Sequence, residues 1–213
     1  MAKHLQGLGY DFSIDHFISN YREVAIDYRK KRYEYLQEVG NNVIVVDTLR
    51  KIGIFVEPTG SHITSAVEHY FYPWQLTIAP DALQVLEKLS GRFIISLISN
   101  FTNSAFIHRS LDNLGIDRFF DHVIDSVSIG WRKPHPRIFR HFLNLSGVKA
   151  EEAVFIGDDL DADIKGAKNL GIKAVLFVGI EKSQSEQKKS NVRPDHIVHT
   201  LSEFGELLLS DKI

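Results

Sequence analysis

From Phe93 onward, short apolar runs alternate with stretches of helical periodicity, and that alternation restricts the chain to a small set of folds. Residues 93–98, 122–124, 153–156, 174–178 and 196–198 are apolar runs of strand length. Residues 105–114, 137–145 and 162–170 have helical spacing between them, and 201–209 closes the chain as a helix. The runs are nearly continuous in apolar residues, as strands buried on both faces must be. Consecutive strands joined through helices run parallel. The expected class is α/β, a Rossmann-like parallel sheet covered by helices.

The chain before Pro80 reads differently. Ile14, Phe17, Ile18, Tyr21, Val24, Ala25 and Tyr28 recur at helical spacing, and that pattern runs on to Val39. A second helix carries Val43, Val46, Leu49 and Ile52 and stops at Gly53; a third carries Ile63, Ala66, Val67, Tyr70 and Phe71 and fades near Pro73. A short helix over 82–89 leads into the first strand. This predicts an all-helical lobe over residues 1–78 and an α/β core over 79–213, and a chain of 213 residues, 44% hydrophobic, is long enough for both. Arg29-Lys30-Lys31-Arg32 is read as a solvated helix face, and the aromatic Tyr21, Tyr28 and Phe71 as packing of the lobe.

Several classes are excluded. A formal net charge of -2 with no basic stripe argues against nucleic acid as the main partner. The absence of cysteine removes disulfides, thiolate metal sites and a cysteine nucleophile. No apolar run reaches the ~18 residues of a membrane span, and the first residues show no signal-peptide pattern, so a cytoplasmic location is expected. The polar stretch 181–191 is expected to be a surface loop.

Three polar groups fall at the carboxyl ends of strands, where open α/β sheets gather their ligands. Ser99-Asn100 follows the first strand, Lys133 lies in Gly130-Trp131-Arg132-Lys133-Pro134 after the second, and Gly157-Asp158-Asp159 follows the third. A hydroxyl and backbone N–H groups before a helix can hold phosphate oxygens. A lysine offsets charge on a carboxylate nucleophile and on the group it attacks. Asp158, Asp159, Asp161 and Asp163 crowd four carboxylates into six positions. Helix capping explains one or two of them; the remaining repulsion calls for a cation, and carboxylate oxygens suit Mg²⁺.

In this order the three groups resemble the second, third and fourth motifs of the haloacid dehalogenase (HAD) superfamily. Residues 94–100 resemble its apolar strand ending in Ser/Thr. Lys133-Pro134-His135-Pro136-Arg137-Ile138-Phe139 resembles its lysine motif, and Phe155-Ile156-Gly157-Asp158 through Asp163, with Gly166-Ala167 and Leu170-Gly171, resembles its Gly-Asp motif. The resemblance implies a Mg²⁺-dependent phosphatase acting on a small phosphorylated metabolite. It also implies a helical cap over residues 1–78. Ser99 and Asn100 would bind the substrate phosphoryl group, Lys133 would be catalytic, and Asp158, Asp163 and Asp159 would serve the metal. The family's first motif, a strand ending in Asp-x-Asp that supplies the nucleophile and the acid/base, is expected to be missing, lying upstream of Met1. Asp47 at the end of the apolar Val43-Ile44-Val45-Val46 is not its substitute, because Leu49 stands where the second aspartate belongs. Without that central strand the sheet would retain two unpaired edges, which favours self-association. The rival expectations are a catalytically dead binding or regulatory module and a 2-haloacid dehalogenase.

Overall fold

The computed structural model describes residues 1–179, 191–210 and 213. In chain order the first elements are α1 (Ala2–Gly7), α2 (Ile14–Tyr35), α3 (Asn41–Lys51), α4 (Ser61–Phe71), α5 (Ala82–Leu89), β1 (Ser96–Ser99), α6 (Ser104–Asn113) and β2 (His122–Asp125). Then come α7 (Ser126–Ile129), α8 (Pro136–Ser146), β3 (Val154–Gly157), α9 (Lys165–Lys168), β4 (Lys173–Phe177), β5 (His196–Val198) and α10 (Leu201–Leu209). Two compact units result. Unit 1 holds Met1–Leu76, Asn100–Ser110 and Asp125–Arg132; unit 2 holds Thr77–Ser99, Leu111–Ile124 and Lys133–Ile213. The loop expected over 181–191 lies almost wholly outside the described residues.

Unit 1 is helical around a core of Leu5, Phe17, Val45, Val46, Leu49, Ile63, Ala66, Phe71 and Phe106. The Ser13 hydroxyl accepts from the His16 N–H and starts α2, which ends where Leu36 turns left-handed at φ 57°. The Val43–Asp47 run is helical, as its spacing predicts, and buries Val45 and Val46. Asp47 on that helix accepts the Tyr28 hydroxyl at 2.5 Å and pairs with Arg50 at 2.5 Å. Lys51 pairs with Glu23 on α2, so charges on the solvent side reinforce the α2–α3 packing.

Unit 2 carries the strands. β3, β4 and β5 form a parallel sheet in that order, with Val154 opposite Lys173, Gly157 opposite Leu176 and Val175 opposite His196. β1 pairs with β2 in a separate sheet. The expected parallel sheet therefore exists in two pieces, and one edge each of β1 and β3 has no strand neighbour among the described residues. Burial follows the pairing. Ala174, Val175 and Leu176 of the central β4 are buried, whereas all four residues of β3 are only half-buried.

Two elements depart from their expected bounds for local reasons. The strand over 93–98 begins only at Ser96 because the Phe93 N–H still bonds the Leu89 carbonyl at the end of α5. Ile95 is then engaged through both its N–H and its carbonyl by Asp121, at 2.8 Å each. The helix over 162–170 is broken into a wide turn, Leu160–Ile164, followed by α9. The wide turn arises because the Ile164 N–H reaches back five residues to the Asp159 carbonyl at 3.1 Å.

Burial, together with the hydrogen bond to Asp47, pushes the Tyr28 phenol up to about 12. An unfolded tyrosine ionises near ~10. The folded state therefore keeps a proton that the unfolded state releases, and stability falls as pH rises through that window. Alkaline titration followed at 295 nm should show a late-ionising tyrosine that Tyr28→Phe removes. The same substitution should cost about 1–2 kcal/mol at neutral pH. If every tyrosine ionises together near ~10, the Tyr28–Asp47 bond does not form in solution.

Candidate active site

β1 ends in Ser99, one residue after Ile98, whose carbonyl accepts a hydrogen bond from Lys133 Nζ at 2.9 Å. The same ammonium lies 2.7 Å from Asp163 Oδ1, and the two side chains are only 11% and 6% exposed. The Phe155 ring on β3 lies beside it, its centroid 5.4 Å from Nζ. Lys133 thus joins the carboxyl end of β1 to the turn after β3. Backbone geometry delivers it there. His135 caps α8 by accepting from the Arg137 N–H at 3.2 Å, and Pro136 opens the helix.

Asp163 uses both oxygens. Oδ1 faces the lysine, while Oδ2 accepts the N–H groups of Asp158 and Asp159, each at 3.1 Å. The carboxylate folds so closely over Gly157 that a Cβ there would overlap Asp163 Cγ. Glycine before the aspartates is therefore a packing requirement. Asp159 caps the following turn, its Oδ1 accepting from Asp161 N at 2.8 Å and Ala162 N at 2.9 Å. Two of the four crowded carboxylates are thereby occupied in shaping the loop, and the charge of Asp163 is met by an ammonium. Asp158 and Asp161 stay at the exposed end.

Carboxylate oxygens of this kind suit a hard cation such as Mg²⁺. Yet among the described residues no group of three His, Cys, Asp or Glu is placed to hold a metal ion. A cation at Asp158 would need oxygen ligands beyond this cluster. Of the residues singled out in the sequence, the structure gathers Lys133, Asp163 and the backbone of Asp158 and Asp159, with Ser99 next to the carbonyl that Lys133 holds. Ser99 closes the unit 2 segment and Asn100 opens a unit 1 segment.

Some contributors left little trace in the sequence. A backbone carbonyl such as that of Ile98 has no residue signature. Outside the site, in unit 1, a second buried carboxylate went unmarked: Asp125, 2% exposed, accepts the Ser104 hydroxyl at 2.7 Å, the Ser128 hydroxyl at 3.0 Å and the Ser128 N–H at 2.8 Å. Its capping pattern, Asp125-Ser126-Val127-Ser128, was visible, but it closely follows a strand and reads as turn chemistry.

Removing one partner of a buried ion pair strands the other. Asp163→Ala should cost about 3–5 kcal/mol in chemical denaturation, because it also orphans two N–H groups, and Lys133→Met should cost less. A double-mutant cycle between the two should give a coupling of at least about 1 kcal/mol. Strict additivity would mean that the pair does not form.

Residues 3–171 match the family model for haloacid dehalogenase-like hydrolases. The chain is 32% identical over 142 residues to ribulose-1,5-bisphosphate 5-phosphatase of Halopiger xanaduensis, a match covering 64% of this chain and 59% of that protein. It is 39% identical over 98 residues to glyceraldehyde 3-phosphate phosphatase of Methanocaldococcus jannaschii, covering 46% and 42% respectively. The chain thus matches less than two thirds of the length of either relative. The solved structure of 2-haloacid dehalogenase from Pseudomonas syringae pv. Tomato DC3000 superposes with a TM-score of 0.70 at 21% identity, over 98% of this chain and 84% of that one, which establishes a shared fold. With its lysine and Gly-Asp motifs joined in one buried ion pair, and with the family match running through most of its length, the chain belongs to the haloacid dehalogenase-like hydrolases.

Proposed function

We propose that the protein is a phosphatase acting on a small phosphorylated metabolite. The observation that carries this reading is the Lys133 ammonium, held almost out of water on the Ile98 carbonyl, one residue before Ser99 at the end of β1. In a poorly solvated place a fixed ammonium acts on negative charge far more strongly than it does in bulk water. Relatives at 32% and 39% identity that are named as sugar-phosphate phosphatases favour this over dehalogenation, since the likeness to a dehalogenase concerns the fold alone.

In this reading Ser99 and Asn100 bind the phosphoryl oxygens, and Lys133 balances charge on the phosphoryl group and its attacking carboxylate. Asp158 ligates Mg²⁺, with Asp163 and Asp159 supporting the loop that presents it. The ion would neutralise phosphate charge. A cap role for residues 1–78 and a cytoplasmic location belong to the same proposal. No described helix is long and apolar enough to cross a membrane. This reading assigns no nucleophile and no acid/base within residues 1–213.

Isothermal titration of residues 1–213 with inorganic phosphate in the presence of Mg²⁺ tests this reading. Lys133→Ala should weaken binding about tenfold or more, an effect of at least about 1.4 kcal/mol. Asp158→Asn should remove its Mg²⁺ dependence. Phosphate binding indifferent to both substitutions would refute the reading. Residues 1–213 alone should show little or no turnover of a phosphomonoester; turnover abolished by Asp158→Asn would overturn the unassigned nucleophile.

A further inference from the structure

Glu38 carries a charge whose burial the proposed reaction does not explain. Its carboxylate is 1% exposed and lies in the link between α2 and α3, flanked by Gln37 and Val39. Two guanidinium groups converge on it. Arg32 Nε stands 2.5 Å from Oε1, and Arg132 meets Oε2 at 3.4 Å. The Ser126 hydroxyl is 3.0 Å from Oε2 and 3.1 Å from the Phe101 carbonyl, so its one hydrogen can serve either. The backbone repeats the connection. The Glu38 N–H donates to the Gly130 carbonyl at 3.0 Å, the Arg132 N–H donates to the Leu36 carbonyl at 3.0 Å, and Gln37 and Trp131 form an antiparallel bridge between these bonds. All of these residues belong to unit 1, and the next residue along the chain is Lys133.

Burying an ion pair costs desolvation, and an apolar cluster of the same volume often stabilises a fold as well or better. What the charged arrangement adds is connection: two guanidinium groups meet one carboxylate, the backbone bonds each fix one donor against one acceptor, and nearly all of these contacts end on Ser126, Gly130, Trp131 or Arg132. Arg132 has its α-carbon roughly 3.8 Å from that of Lys133 by covalent geometry alone. We propose that Glu38 is a positioning residue for Lys133. By holding Arg132 and the strand bridge before it, Glu38 fixes where the chain delivers the lysine. Its importance for catalysis rests on the phosphatase reading above; its structural action on Lys133 does not.

Amide hydrogen exchange and the Lys133 side-chain ammonium resonance, both read by NMR on residues 1–213, test the proposal. Glu38→Gln keeps the shape and removes the charge. It should speed exchange of the Glu38 and Arg132 amides by about tenfold relative to the β4 amides, which report global opening. It should also shift or broaden the Lys133 ammonium signal. Ser126→Ala, which removes one donor and keeps both ion pairs, should act in the same direction more weakly and serves if Glu38→Gln does not fold. A folded variant with an unchanged Lys133 signal overturns the proposal, as does equal acceleration of the Arg132 and β4 amides, which marks a general loss of stability. Phosphate affinity separates the two claims. If Lys133→Ala leaves it unchanged while Glu38→Gln moves the Lys133 signal, the phosphatase reading fails and the positioning role stands.

Discussion

The ion pair between Lys133 and Asp163 organises the strand-end region of unit 2. A single carboxylate meets an ammonium on one oxygen and two backbone N–H groups on the other, so Asp163 fixes both the lysine and the loop that begins at Asp158. The lysine in turn holds the Ile98 carbonyl at the end of β1. The contacts depend on one another. Without the lysine, Asp163 would be a nearly buried, unbalanced charge; without Asp163, the Asp158 and Asp159 N–H groups would lose their acceptor. Gly157 completes the set, because any side chain there would push Asp163 out of reach of its partners.

The division of the strands into two sheets gives this pair added weight. In a parallel sheet, neighbouring strands are normally locked by ladder hydrogen bonds, and an edge presents unsatisfied backbone groups. β1 and β3 each lack a strand neighbour on one side among the described residues, and the half-burial of Val154, Phe155 and Ile156 shows what that costs in apolar contact when set against β4. Where a ladder does not tie the end of β1 to the loop after β3, the Lys133 side chain does.

How much of this was legible depended on whether a pattern was local. The helix over Asn41–Lys51 could be told from a strand because Val46, Leu49 and the stop at Gly53 share one helical period. The four crowded aspartates marked the loop after β3, but their spacing could not apportion them. Only the folded backbone shows that Asp159 caps the turn and Asp163 turns inward to Lys133. The start of β1 was misplaced because Phe93 and Ile94, apolar enough for a buried strand, are 42% and 50% exposed at the exit of α5. Glu38 was invisible for a different reason. A single glutamate in a link has no period, and its partners at Arg32, Ser126 and Arg132 are brought to it only by tertiary structure.

Glu38 and Asp163 give consecutive cations different anchors. Arg132 is held by a buried carboxylate in unit 1, and Lys133 by a buried carboxylate in unit 2, so the peptide between them is the covalent passage from one unit to the other. A side chain anchored at its tip alone can still swing with its backbone. Here the backbone is constrained on the preceding residue, through the Arg132 N–H bond to Leu36, while the tip is constrained by Asp163 and the Ile98 carbonyl. A lysine has four rotatable side-chain bonds and loses about 1.5–2 kcal/mol of rotamer entropy when fixed. Holding the tip before any ligand arrives shifts part of that cost from the binding step to folding, which is the condition for an ammonium to act as a preorganised charge.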